Sequence, residues 1–354
     1  MRRLVRALCA ISLTVTALGA STAPAGAHAT GGVESTNYRT TITAVEPEVD
    51  GVAFRVVNVG EGISMTNTSG TDVTVLGYDG EPYLRVGPDG VFRNTRSPAT
   101  YRNATTRDDQ HIPDTADPNA EPEWERIGDC CTTMWHDHRA HYMGSSAPPA
   151  VKAQPDVGRV IIPAWEITVE VSDGPAIVVA GDVEWVPSPS PWPWIALIVG
   201  LAAVVIALGF TRRWGIVIGA ALAALLACEV VHVIGNWVGV EVSLGEKFGS
   251  AIFAVLALVL GVAALAHLLW RGATEAAPGV LVAAVAIGIT GGLADIEVFG
   301  NSQLPFAFSP DVARLLVATT IGLSIGVVIT AGRHLRRAVP PDAPVTADTA
   351  PASV

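Results

Sequence analysis

"RVIIPAWEITVEV", residues 159–171, places Trp165, Ile167, Val169 and Val171 in alternation with Glu166, Thr168 and Glu170. A period of two puts every apolar side chain on one face and every polar one on the other, as a half-buried strand requires and a helix does not. The next stretch, "AIVVAGDVEWV" at 176–186, has the same character. Upstream, "NYRTTITAV" (37–45), "GVAFRVVNV" (51–59), "GISMTN" (62–67), "TDVTVLGY" (71–78) and "PYLRV" (82–86) are rich in Val, Ile, Thr and Tyr. They are separated by Pro47, Asp50-Gly51, Ser69-Gly70, Asp79-Gly80 and Asp89-Gly90, residues suited to tight turns. The polar, Pro- and Asp-rich stretch 96–129 reads as a long loop. Seven or eight short strands without a helical pattern predict an all-β sandwich over residues 28–187.

Both flanks of this region have a different composition. Arg2, Arg3 and Arg6 precede an apolar run to Ala20 and small residues ending Ala25-Gly26-Ala27, the order of a secretory signal peptide over 1–27. Cleavage before His28 makes it the mature N-terminus, whereas a frame one pair later removes it. Downstream, "PSPSPWPW" (187–194) is a stiff Pro-rich connector, with its core at 188–193. Five apolar segments follow, at roughly 194–210, 215–237, 248–270, 279–298 and 312–331. Each is about long enough to span ~30 Å of hydrocarbon as a helix, which predicts an all-α membrane domain over 194–333. The Pro-, Ala- and Thr-rich tail 334–354 is expected to be disordered and cytoplasmic.

Charge gives an independent reading of topology. If the sandwich is exported, five crossings leave Arg212, Arg213, Arg271, Arg333, Arg336 and Arg337 inside and only Lys247 and Arg314 in the outer connections. A multi-pass cell-membrane protein with an extracytoplasmic N-terminal domain follows. Residues 28–187 hold 24 Asp and Glu against 11 Lys and Arg, which leaves −13 and argues against a nucleic-acid partner. The partners expected are the lipid bilayer and a membrane or envelope protein.

The stretch richest in chemistry is "MWHDHRAHYM", residues 134–143. His136, His138 and His141 are three of the chain's eight histidines, with Met143 and Asp137 beside them and Cys130-Cys131 just before. Neutral imidazole suits copper or zinc, and a thioether adds a soft donor that favours copper. Asp137 is either an oxygen ligand or an acceptor orienting an imidazole N–H. The cysteines add thiolates, pair with one another or stay reduced. In an extended chain only two of the histidines share a face, so a three-histidine site needs a turn near Arg139-Ala140 or a distant ligand such as His28. The alternative is structural: Trp135 and Tyr142 anchor the segment, Arg139 pairs with a carboxylate and the histidines hydrogen-bond locally.

A second polar group lies in the apolar half, where ionisable side chains are costly. Cys228, Glu229 and His232 fall in the second segment, and Asp295 and Glu297 at the end of the fourth. They read as an interhelical hydrogen-bonded set or as an entry point for a cation. No G-x-S-x-G elbow, P-loop or H-E-x-x-H pattern occurs, so an enzyme is the less favoured class.

"VLGYDGEPYLRVGPDGVFRNTRSPATYRN" (75–103), "WHDHRAHYMG" (135–144) and "VEWVPSPSPWPW" (183–194) together resemble a family of exported, membrane-anchored actinobacterial proteins of uncharacterised activity. The resemblance implies the architecture above and no activity. His28 and the fold class are also similar to copper-handling sandwiches of the CopC type, an analogy resting on one residue. "WHDH" looks like a multicopper-oxidase ligand segment without the separate His motifs those enzymes need. The expectation is a membrane-anchored protein that binds a transition metal, copper ahead of zinc, for delivery or sensing. The alternative is a non-catalytic envelope or complex-assembly protein.

Overall fold

A computed structural model of the chain describes residues 32–104 and 111–338. The signal-peptide reading, His28 and most of the tail lie outside the described residues. The chain divides into two compact units, the first comprising residues to Pro191 together with Ile234–Ala251 and Ala294–Arg314, the second Trp192–Val233, Ile252–Leu293 and the chain from Leu315.

Among the described residues, the first unit is built on ten strands, β1 (Tyr38–Glu46), β2 (Val52–Val57), β3 (Gly62–Asn67), β4 (Val73–Leu76), β5 (Pro82–Gly87), β6 (Gly90–Asn94), β7 (Trp124–Gly128), β8 (Thr132–Trp135), β9 (Arg159–Val171) and β10 (Ile177–Trp185). Seven form one sheet in the order β1-β10-β9-β4-β5-β6-β7, and β2-β3-β8 form another. Every pairing is antiparallel. Trp165, Ile167 and Val169 of β9 are buried while Glu166 and Glu170 are exposed, so the alternation read from the sequence is the alternation of burial. These side chains share one core with Ile63 and Met65 of β3 and Trp135 of β8. Each large apolar side chain so buried contributes about 1.5–3 kcal/mol.

The stretch 96–129 is not one loop, because it contains helix α1 (Pro98–Arg102) and strand β7. Ser97 caps α1 by accepting from Ala99 N–H, and Pro98 sits in its first turn. Strand β7 has one buried neighbour strand and little apolar alternation, so its pairing with β6 leaves no periodic signal. A second short helix, α2 (Pro149–Ala153), precedes β9.

Among the described residues, five helices are long and apolar enough to cross a membrane: α3 (Trp192–Gly209), α4 (Trp214–Gly239), α5 (Leu244–Arg271), α6 (Ala273–Thr290) and α7 (Pro310–Ala338). The fourth begins six residues earlier than the apolar count suggested and stops at Thr290, before Gly291-Gly292, where helix propensity drops. Asp295 and Glu297 therefore do not end a membrane helix. They lie in the 3-10 turns Leu293–Phe299 of the first unit.

Within the first unit, two of the segments between long helices are hydrogen-bonded to the β-domain. Thr36 and Gln303 exchange backbone bonds of 3.0 and 2.8 Å. Asn37 Oδ1 accepts from Ser302 N–H at 2.8 Å, and Ser302 Oγ donates to Val186 O at 3.1 Å. Arg314, 5% exposed, shapes the 294–314 segment by donating to the carbonyls of Val298 and Asn301 at 3.0 and 2.9 Å. That residue, counted from sequence only as a charge in a connection, is a buried organiser of it.

Candidate metal centre

Strand β8 ends at Trp135, and a 3-10 turn at His138–Ala140 follows. The turn needed near Arg139-Ala140 is thus present, and its cause is Asp137. Its Oδ1 accepts from Arg139 N–H (3.1 Å) and Arg139 Nε (2.8 Å), and its Oδ2 from Trp135 Nε1 (2.9 Å) and Arg139 Nη2 (2.8 Å). The carboxylate is 2% exposed and caps the turn while holding the indole that anchors it in the core. Arg139 also donates to the carbonyls of Gly77 and Leu76, and its guanidinium lies 4.8 Å over the Tyr78 ring. Arg102 covers the same ring at 4.7 Å. Asp137 is engaged inside the protein on both oxygens, so its place is that of a scaffold.

The turn brings the three imidazoles together. The His136 ring lies 5.1 Å from that of His138 and 4.9 Å from that of His141, each edge to face. His136 Nδ1 is 2.5 Å from the carbonyl of Glu61. A carbonyl only accepts, so Nδ1 carries the proton and Nε2 presents its lone pair. Nε2 is buried and has no hydrogen-bond partner. Burial holds the His136 imidazolium down, to about 4 from an ordinary 6.5, partly offset by the Glu61 carbonyl. His141, whose Nδ1 is 3.4 Å from Gly60 O, is shifted down for the same reason. Both rings are therefore neutral near pH 7, the form that ligates a cation.

Of the other candidates, Met143 is partly buried two residues beyond His141. Cys130 and Cys131 are bonded to each other as a vicinal disulfide, which takes both sulfurs out of the thiolate pool. Among the described residues no group of three or more His, Cys, Asp and Glu side chains has donors already gathered around one cation position. The rings meet edge to face, with interplanar angles of 72° and 64°.

Sequence reading passed over Met134, which is 43% exposed on the outer face of β8, two residues before His136. The signal was there in the period of two. It also passed over the 58–61 turn beneath the histidines, where Asn58, Val59 and Gly60 have φ of 52°, 51° and 101°. Two successive non-glycine residues in left-handed backbone, one of them β-branched, store strain that their surroundings must hold. Gly60 is required there, since a Cβ would come 2.9 Å from Thr40 Oγ1, itself bonded to Ala140 O. Asn58 donates through Nδ2 to Glu241 O at 3.1 Å and accepts from Glu241 N–H at 2.8 Å, as an added strand would, while Arg55 pairs with the Glu241 carboxylate. Asn58→Ala should cost about 1 kcal/mol by removing two part-buried hydrogen bonds to the Glu241 backbone. It should also speed hydrogen exchange at amides near Glu241, and unchanged exchange there would refute the clamp.

The intramembrane candidates separate by unit. Cys228, Glu229 and His232 belong to α4 in the second unit, Asp295 and Glu297 to the first. Glu229 is fully buried and His232 5% exposed.

No protein-family model, curated protein or solved structure matches this chain.

Proposed function

We propose that this protein is a membrane-anchored metal-binding protein whose β-sandwich is extracytoplasmic and whose His136, His138 and His141 take a transition metal for delivery or sensing. The observation that carries the reading is the buried, partnerless Nε2 of His136, held in the ligating tautomer by the Glu61 carbonyl and flanked by two more imidazoles. Protein-held N–H groups of this kind orient metal-bound histidines generally. Copper is favoured over zinc because Met143 and Met134 flank the three histidines in the chain and thioethers are soft donors. The orientation follows from the arginines at 212, 213, 271, 333, 336 and 337 and from the N-terminal leader pattern.

The experiment is calorimetric titration of the detergent-solubilised chain with copper and with zinc. One saturable site is expected, weakened by more than about 100-fold in His136→Ala and lost in the His136→Ala, His138→Ala double variant. Zinc bound more tightly than copper would overturn the choice of metal, and no saturable binding would overturn the reading itself.

A second reading is favoured by one observation, that Asp137, Trp135 and Arg139 already form a closed network that needs no metal. On that reading the histidines brace the 58–61 turn and the protein is a non-catalytic assembly component of the envelope. It predicts that His136→Ala loosens the Asn58–Glu241 clamp without any metal-dependent change.

A further inference from the structure

Several helix ends of the second unit meet at one place. Gly209, the last residue of α3, lies so close to α7 that a Cβ on it would come 2.5 Å from Thr330 Oγ1. One turn on, His334 has Nε2 3.1 Å from the Gly209 carbonyl, which only accepts, so this nitrogen donates. Its ring stacks on that of Trp214, the first residue of α4, with centroids 3.9 Å apart. Gly215 in turn faces the start of α6, where a Cβ would come 2.6 Å from that of Ala273, and α5 ends just before it at Arg271.

One end of the bundle therefore collects Arg212, Arg213, Arg271, Arg333, Arg336 and Arg337. Over 192–233, 252–293 and 315–338 the carboxyl residues are Glu229 and Glu275, and Glu275, in the first turn of α6, belongs to this end. Glu229 is 15 residues along α4, about 22 Å away. Six arginines against one carboxylate leave +5.

Beside this charge, the seam between α3 and α7 holds a cleft lined by Ile206, Gly209, Phe210, Ile329, Thr330 and Arg333. Phe210 and Ile329 are 62% and 47% exposed, so its walls are apolar and open to lipid. The Arg333 guanidinium sits 3.6 Å over the Phe210 ring. A guanidinium seated this way keeps N–H donors at its rim for an oxyanion. An apolar trough with an arginine at its mouth, next to a strong positive charge, complements an anion that carries hydrocarbon chains.

We propose that the α3–α7 cleft binds one anionic phospholipid, its acyl chain along Ile206, Phe210 and Ile329 and its phosphate on Arg333, with the other arginines of this end adding attraction at longer range. Basic pockets between membrane helices recognise anionic headgroups in this way generally. The site lies wholly within the second unit, does not depend on a metal in the β-domain, and holds for either orientation of the helices.

The test is native mass spectrometry of the full chain released from detergent, titrated with phosphatidylglycerol or with phosphatidylcholine of the same acyl chains. One phosphatidylglycerol should bind about tenfold more tightly than phosphatidylcholine, whose choline cancels the phosphate charge. Arg333→Gln should weaken it about tenfold, the effect of losing a charged hydrogen bond. Arg271→Gln removes an equal charge from the same end but outside the cleft, and should cost less than about threefold. Equal affinity for the two lipids would overturn the proposal. A loss no larger in Arg333→Gln than in Arg271→Gln would also overturn it, by reducing the effect to surface charge. Glycerol phosphate competing as well as the lipid would replace the lipid with a soluble phosphate ester. If Arg333→Gln fails to fold, Arg333→Lys decides: it keeps the charge without the planar fork, so about a threefold loss is expected and no loss would overturn the proposal.

Discussion

Asp137→Ala is expected to remove about 3–5 kcal/mol from the stability of the β-domain unit. The carboxylate is 2% exposed and accepts four hydrogen bonds, two of which come with the Arg139 charge, whose side chain is 20% exposed. Truncation leaves a mostly buried guanidinium stacked on Tyr78 without its counter-ion and the Trp135 indole N–H without an acceptor. A whole domain is held by only about 5–15 kcal/mol, so the loss is a large share. Asp137→Asn keeps one acceptor and should fall in between. Native-state hydrogen exchange across β8 and β3 measures the cost. A loss below about 1 kcal/mol, the range of exposed ion pairs, would show that the network is dispensable.

Acidification should destabilise the metal-free protein through His136. In the folded protein its proton affinity is depressed to about 4 against an ordinary 6.5, because charging it would bury an imidazolium. Between those values the unfolded chain binds more protons than the folded one, so stability falls as pH falls. The contribution is intact above about pH 6.5 and is lost progressively down to about pH 4, with an upper limit of about 3 kcal/mol. His141, shifted in the same direction, adds to the slope. Glu61 opposes it weakly, because burial raises its carboxyl from 4.5 and a raised acid gains stability on protonation. Unfolding midpoints measured across this pH range should therefore slope steeply in wild type and much less in His136→Gln. Equal slopes in the two proteins would place the acid sensitivity elsewhere.

The strands that carry a core side chain at every second position, such as β9 and β10, are legible in the sequence because each residue's environment is set by its own neighbours in the strand. The long apolar helices are legible for the same reason, as composition over about 20 residues suffices. Strand β7 and helix α1 carry no local signal because their places depend on partners far along the chain, β6 and the Glu81–Ser97 hydrogen bond of 2.6 Å. The end of α6 was placed eight residues late because "GGLADIEVFG" stays apolar on average, and hydropathy does not register where two glycines stop a helix.

At the candidate metal centre the order of residues specifies which donors exist and that a turn at Arg139-Ala140 is the condition for three histidines to meet. That Asp137 makes this turn, and that Asn58 and Arg55 reach Glu241, follows from the fold. So does the selection of the His136 tautomer by the Glu61 carbonyl. The reason is physical: residue type and period describe which atoms a segment offers and on which face. Burial and partnership, by contrast, arise from segments 75 and 183 residues apart in the chain that the fold brings within hydrogen-bonding distance.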